Sequence, residues 1–124
     1  MDEKLEGILF EYDLGETKAV IVKLEKEDTL NQMYKLIDCS SVDCVSLPKN
    51  IDIWTDDEGL LKSDSAVIHY LVREDDESDG FELHLAGKSL ILSADEDGNT
   101  IGLSNEQIHW VQKHVRVGLY GFTK

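Results

Sequence analysis

The residues in this chain whose types could do chemistry are two acidic turns and four histidines. "DDEG" ends at Gly59 and "DEDG" at Gly98, each after a β-rich run. A serine and then Ile-His-aromatic follow both turns, as Ile68-His69-Tyr70 and Ile108-His109-Trp110. Carboxylates clustered before a glycine are what a hard cation such as calcium needs. An EF-hand loop places acids first, third and fifth, glycine sixth and glutamate twelfth. With Gly98 sixth, Asp95 and Asp97 fall correctly, but Ser93 stands first and Ser104 twelfth. With Gly59 sixth, Trp54 stands first; with Gly80 sixth, Asp75, Glu77 and Asp79 fit but Ala86 stands twelfth. None is an EF-hand. Both acidic turns are expected to be hairpin turns in which Asp-Gly or Glu-Gly supplies positive φ. Asp95 and Asp97 remain the candidates for a weak divalent-metal site.

The other chemistry-bearing residues form no known catalytic motif. The chain has no G-x-S-x-G, Walker loop, H-E-x-x-H or Rossmann glycine pattern. A histidine pair beside Asp95 and Asp97 would have acid–base groups, yet nothing in the spacing makes them converge, so no enzyme and no cofactor are expected. Cys39 and Cys44 lack the second ligand pair a zinc finger needs and are read as buried, inert thiols.

The elements that must position these residues follow from periodicity. Gly7 to Leu14 alternates as a strand, with Ile8, Phe10 and Tyr12 on one face; a turn at Gly15 leads to a second strand over Ala19 to Leu24. Leu30, Met33, Tyr34 and Ile37 mark an amphipathic helix that Asp28 or Thr29 caps. Val42–Leu47 and Ile51–Thr55 are strands on either side of Pro48. Ala66–Arg73 reads as a helix by analogy with the C-terminal Ile-His-aromatic unit, although its run is apolar nearly all round. Residues 74–80 (EDDESDG) form an exposed acidic loop. Phe81–Leu85 and Ser89–Ser93 are strands around Gly87, and a short strand lies near Thr100–Leu103. Ser104 with Gln107 is a capping box, and Ile108, Val111 and Val115 mark the buried side of the helix it starts. Val117–Phe122 is a final strand. The result is one α+β domain over residues 1–124, a mostly antiparallel sheet with two or three short helices packed on it. If the two Ile-His-aromatic units are a duplication, Ile68 and Ile108 should hold equivalent places.

Charge narrows the partners. The chain has 26 acids against 12 bases, a formal net charge of -14. That balance opposes direct contact with nucleic acid or anionic membrane, whose affinity comes from Lys and Arg. Residues 105–124 carry Glu106 against Lys113, Arg116 and Lys124, the least acidic stretch. His109, Trp110, Lys113 and Arg116 are therefore the candidate partner-binding residues, for another protein or a second copy of the chain docking on the Val117–Phe122 edge. A sharper alternative is a DNA mimic, with Glu11, Asp13, Asp52, Asp56, Asp75, Asp76, Glu77 and Asp79 standing in for phosphates. No apolar run is long enough for a membrane helix, and Met1-Asp2-Glu3-Lys4 lacks a signal-peptide pattern. A soluble cytoplasmic protein is expected.

From Ile51 onward, "DDEG", "SDSAVIHYL" and "LAGKSLILSADEDGNTIGLS" resemble a family of small acidic proteins of unknown function from phages and mobile elements of Gram-positive bacteria. The resemblance extends more loosely to the strand–helix pair over Ala19–Ile37. It implies a small accessory protein acting on a host component, and it carries no catalytic residue across.

Overall fold

Strands β1 (Lys4–Asp13) and β2 (Glu16–Glu25) pair antiparallel through a two-residue turn. Leu14 (φ 51) and Gly15 (φ 83) both take left-handed backbone there. Positive φ at both central residues gives a turn whose twist matches that of the strands. In the computed structural model, which describes residues 4–74 and 80–123, this hairpin is one end of a large sheet. Its strand order is β2, β1, β7 (Ser89–Ala94), β4 (Ile51–Asp56), β3 (Val42–Leu47), with β8 (Thr100–Ile101) pairing β7. A smaller sheet has the order β6 (Phe81–Ala86), β5 (Ala66–Val72), β9 (Val115–Phe122). All of these pairings are antiparallel.

Side-chain alternation decides what covers each face. Ile8 and Phe10 of β1, Ile51 and Ile53 of β4 and Ile91 of β7 point toward the small sheet. There they meet Ile68, Tyr70 and Val72 of β5, together with Ile108 and Val111 of helix α2 (Asn105–His114). Leu5, Leu9, Leu24, Leu90 and Leu92 point the other way and are covered by Met33 and Ile37 of helix α1 (Thr29–Ile37). Since β7 is buried on both faces, SLILS reads as a continuous apolar run rather than an alternating one. The layers are thus α1, large sheet, then small sheet with α2: an α+β domain with two α-helices among the described residues. No helix there is long and apolar enough to cross a membrane.

The sequence expectations hold for most elements. Ser104 accepts from the Gln107 N–H, and the Gln107 side chain accepts from the Ser104 N–H, completing the capping box. DEDG is a hairpin turn joining β7 to β8, with Gly98 at φ 85. Within α1, Leu30 is exposed rather than buried.

Four expectations are corrected. Residues 66–72 are strand β5, not a helix, and the reason is packing. Ile68, Tyr70 and Val72 bury one face at period two, and β6 and β9 take the backbone hydrogen bonds on both sides. Ser65, just ahead of the strand, pairs with Thr123: Ser65 N–H donates to Thr123 Oγ1 and Thr123 N–H to Ser65 O, both at 2.9 Å. With that strand the duplication fails, because Ile68 lies on a sheet and Ile108 on a helix. DDEG is not a hairpin turn either. It runs into a single 3-10 turn, Gly59–Leu61, and carries the chain from the large sheet to the small one. Gly59 is buried there, and a Cβ on it would lie 2.9 Å from the Ala86 carbonyl oxygen. The strands on either side of Gly87 likewise belong to different sheets. Finally, the cysteines are free but not buried: Cys39 is half-buried and Cys44 exposed.

Candidate functional site

Among the described residues the outer face of the small sheet is open around His69, Glu82 and His84, while at its other end Val67 and Ala86 are buried and the 3-10 turn at Gly59 packs against Ala86. Because β5 turns Ile68, Tyr70 and Val72 inward, the pleat turns His69 and Leu71 outward. On β6, Leu83 and Leu85 pack on the core, so Glu82 and His84 share the outer face. His69 and His84 are direct cross-strand partners, and Glu82 lies on the diagonal. The two imidazole centroids are 5.1 Å apart, and His69 Nε2 lies 3.5 Å from Glu82 Oε1. One ligand atom from each of His69, Glu82 and His84 fits within 4.8 Å of the others.

Strand β9 completes the site from the other side. Its register against β5 shifts between Val67 and Ile68, where Gly121 and Leu119 are the partners, so Tyr120 is the extra residue of a bulge. Bulges re-aim side chains. Tyr120 stacks on His84 with centroids 4.0 Å apart and planes at 27°. Gly118 stands opposite His69. A Cβ there would meet nothing within 4 Å and its φ is not left-handed, so neither packing nor backbone demands glycine. What glycine does at 118 is leave the ground beside His69 open. A shallow depression of about 350 Å³ results, lined by His69, Glu82, His84, Gly118, Leu119 and Tyr120.

A second feature lies where the two sheets part. Ala19 and Ile21 of β2, Ile8 and Phe10 of β1, and Val111, Val115 and Val117 of α2 and β9 line an apolar groove of about 210 Å³. Strands β2 and β9 are the edges of their sheets, so the groove runs between two edge strands.

The residues singled out from sequence are dispersed. His109 and Lys113 are exposed one turn apart on α2. Trp110 is partly buried against the core and stacks on His114, centroids 4.8 Å apart. Arg116 sits on β9 opposite the outward Leu71, on the histidine face. Glu11, Asp13, Asp52 and Asp56 belong to the α1-side face of the large sheet, as the opposite alternation of Tyr12, Ile51 and Ile53 requires. Glu11 lies 3.9 Å from Lys88, Asp13 3.7 Å from Lys18 and Asp56 2.7 Å from Lys62. Asp75, Asp76, Glu77 and Asp79 lie outside the described residues. Asp95 is engaged inside its own turn: Oδ1 accepts from the Asp97 and Asn99 N–H groups at 3.0 and 2.8 Å, and Oδ2 from Asn99 Nδ2 at 3.2 Å. Those bonds, that from the Asn99 N–H foremost, hold its carboxyl below the usual range. Asp97 is exposed. At Cys44 desolvation, joined by Asp52 and Asp43, pushes the thiol up to about 11, although the residue as a whole is exposed.

Sequence reasoning named all four histidines but missed the His69–Glu82–His84 grouping. The available signal was Glu82-x-His84 within a strand, which puts both on one face; the partner strand was hidden while Ala66–Arg73 was taken as a helix.

Fold and surface together define a small α+β domain of two face-to-face antiparallel sheets, with an open histidine-bearing patch on the small sheet and an apolar edge groove among the described residues. The chain belongs to the family described as domain of unknown function DUF3846, which matches residues 11–116. No curated protein and no solved structure matches it.

Proposed function

We propose that this chain is a non-enzymatic accessory protein that works by binding a protein partner. The observation that carries this reading is the apolar groove between the free edges of β2 and β9. Ile21 at its rim is 51% exposed. Nearby on β9, Leu119 and Phe122 are also exposed. Edge strands with apolar side chains are templates for an added strand. The fitting occupant is an extended, apolar segment of another protein, laid along one edge with its side chains in the groove. Lys113 and Arg116 lie on the adjoining elements, in the least acidic part of the chain, where an approaching partner meets least repulsion. A cytoplasmic setting, an origin in a phage or mobile element and a host target complete the proposal, on the strength of the sequence resemblance. The DNA-mimic version has weaker support, since three of its four described carboxylates already face a lysine.

The test is a paired capture from host extract with wild-type and Ile21→Glu chains as baits, with light scattering on each alone. Ile21 is exposed enough for the charge to be tolerated in the fold. A protein held by wild type and lost by Ile21→Glu supports the reading, as does a wild-type dimer that the variant abolishes. Equal capture by both chains, or monomeric chains that retain nothing, overturns it.

A further inference from the structure

The outer face of the small sheet carries a grouping that protein binding in the edge groove does not use. His69, Glu82 and His84 offer two imidazole nitrogens and one carboxylate oxygen from adjacent strands. We propose that these three side chains bind one borderline divalent transition-metal ion of the zinc class.

The chemistry of the donors selects the ion. Calcium and magnesium take oxygen ligands almost exclusively, whereas imidazole suits zinc, copper, nickel and iron(II). Two histidines and one carboxylate are a recurrent three-ligand set for zinc with an open fourth position, and for iron(II). The distances are close to sufficient. Zinc bonds of about 2.0–2.1 Å in a tetrahedron hold donor atoms roughly 3.3 Å apart. The three ligand atoms lie within 4.8 Å of one another, with His69 Nε2 already 3.5 Å from Glu82 Oε1. Glu82 and His84 are exposed side chains, so rotation about their own torsions closes the remainder without moving the backbone.

Three further observations separate this grouping from a chance cluster on a polar face. The ligands stand on paired strands of one sheet, so their Cα positions are fixed by the ladder. Tyr120, brought out of register by the β9 bulge, packs its ring against His84. Gly118 leaves the far side of His69 without a wall, though neither packing nor backbone geometry asks for glycine there. The depression that results gives the ion room for water or a fourth ligand from outside the chain. This proposal stands whether or not the edge groove takes a partner.

The experiment uses the tag-free full chain after chelator treatment and dialysis. Titration calorimetry with zinc, and the visible spectrum on cobalt(II) addition, are read for wild type, His69→Ala, Glu82→Gln and His84→Ala; His109→Ala and Asp97→Asn serve as controls. The expected result is one zinc per chain in wild type and both controls. Removing either histidine should weaken binding at least tenfold and abolish the tetrahedral cobalt spectrum, and Glu82→Gln should weaken binding to a lesser degree. Zinc should raise the wild-type melting temperature by several degrees and leave the histidine variants unmoved. If wild type takes up no zinc, the proposal is wrong. It is equally wrong if the histidine variants bind zinc as tightly as wild type, or if calcium and magnesium bind as well as zinc, because the acidic surface would then be the binder. Glu82→Gln changes one exposed atom, so its effect is legible even where a histidine variant folds poorly.

Discussion

Gln107 is the residue whose replacement should reveal most about how this fold holds its parts together. As the third residue of α2 it completes the capping box, accepting the Ser104 N–H at 2.9 Å. Its other end does something a cap does not require. Nε2 donates to the Lys49 carbonyl at 2.9 Å and to Ser93 Oγ at 2.8 Å, tying the helix to the β3–β4 turn and to β7. Ser93 is 3% exposed and donates onward to the Asn50 carbonyl at 3.0 Å. Gln107→Ala loses three hydrogen bonds at about 1 kcal/mol each, partly regained because Ser104 N–H and the Lys49 carbonyl can rehydrate, so about 2 kcal/mol is the expected net cost. In a chain of this size that is a fall in melting temperature of roughly 8 °C. Gln107→Glu is the discriminating substitution. Glutamate is an accepted capping-box residue and an anion in the first turn is favourable by about 0.3–1 kcal/mol, so a pure cap predicts no loss. A clamp predicts a loss of about 1–2 kcal/mol, because carboxylate oxygens would face the Lys49 carbonyl and leave Ser93 without its donor. Urea midpoints for Ser104→Ala, Gln107→Ala and Gln107→Glu, with amide exchange at Ala94, whose N–H donates to the Asn50 carbonyl, measure both. Gln107→Glu as stable as wild type, or Gln107→Ala no worse than Ser104→Ala, would refute the clamp.

Three other outcomes follow from particular side chains. The Tyr70 hydroxyl is fully buried without a well-formed hydrogen bond, and burial raises its phenol above the tyrosine range, the Ser89 hydroxyl opposing; Tyr70→Phe should therefore cost less than about 1 kcal/mol by denaturant titration, and a larger loss would show a bond that the geometry lacks. At Cys44, a thiol raised from 9.0 to about 11 has about a hundredfold less thiolate at pH 8. The higher intrinsic nucleophilicity of that thiolate recovers about tenfold, so iodoacetamide should react roughly tenfold slower than with a free peptide thiol; peptide-like rates would contradict the shift. Asp95 has a folded pKa below its unfolded one, so its contribution is complete above the ordinary carboxylate range and lost as pH falls through the lowered value. Exchange at the Asn99 amide should accelerate there, and in Asp95→Ala at all pH values; protection unchanged in Asp95→Ala would remove the turn from the account.

Local features were legible in the sequence and long-range ones were not. The DEDG turn, the α2 cap and the β1–β2 hairpin depend on residues within a few positions of each other, so residue types suffice to place them. DDEG has the same composition and a different fate, because its geometry is set by where β5 must go. The chain there leaves the large sheet for the small one and passes Gly59 against Ala86. Ala66–Arg73 was ambiguous for a related reason. Val67 is buried as well as Ile68, Tyr70 and Val72, so the run lacks the clean alternation that marks a half-exposed strand. Gln107 was legible as a cap, but its reach to Lys49, far away in the chain, has no sequence signal.

The same geometry explains why a site on the small sheet can be probed separately from stability. Its inward residues Ile68, Tyr70, Val72, Leu83 and Leu85 make the core contacts, whereas His69, Glu82 and His84 point away from them. A bare strand face needs only polar residues with good β propensity to stay folded. Threonine would serve at 69, 82 and 84, and a β-branched residue at 118 would strengthen β9 by roughly 1 kcal/mol over glycine. Imidazole, imidazole and carboxylate with a glycine beside them are therefore a choice the fold does not require. The expected consequence is a clean separation. His69→Thr and His84→Thr should keep the wild-type urea midpoint within about 0.5 kcal/mol, as surface substitutions do, while zinc binding falls. Replacing Gly118 with valine should raise stability and narrow access beside His69. If instead His84→Thr unfolds the chain, the Tyr120 stack is structural, and the residues of the outer face would have to be explained by folding after all.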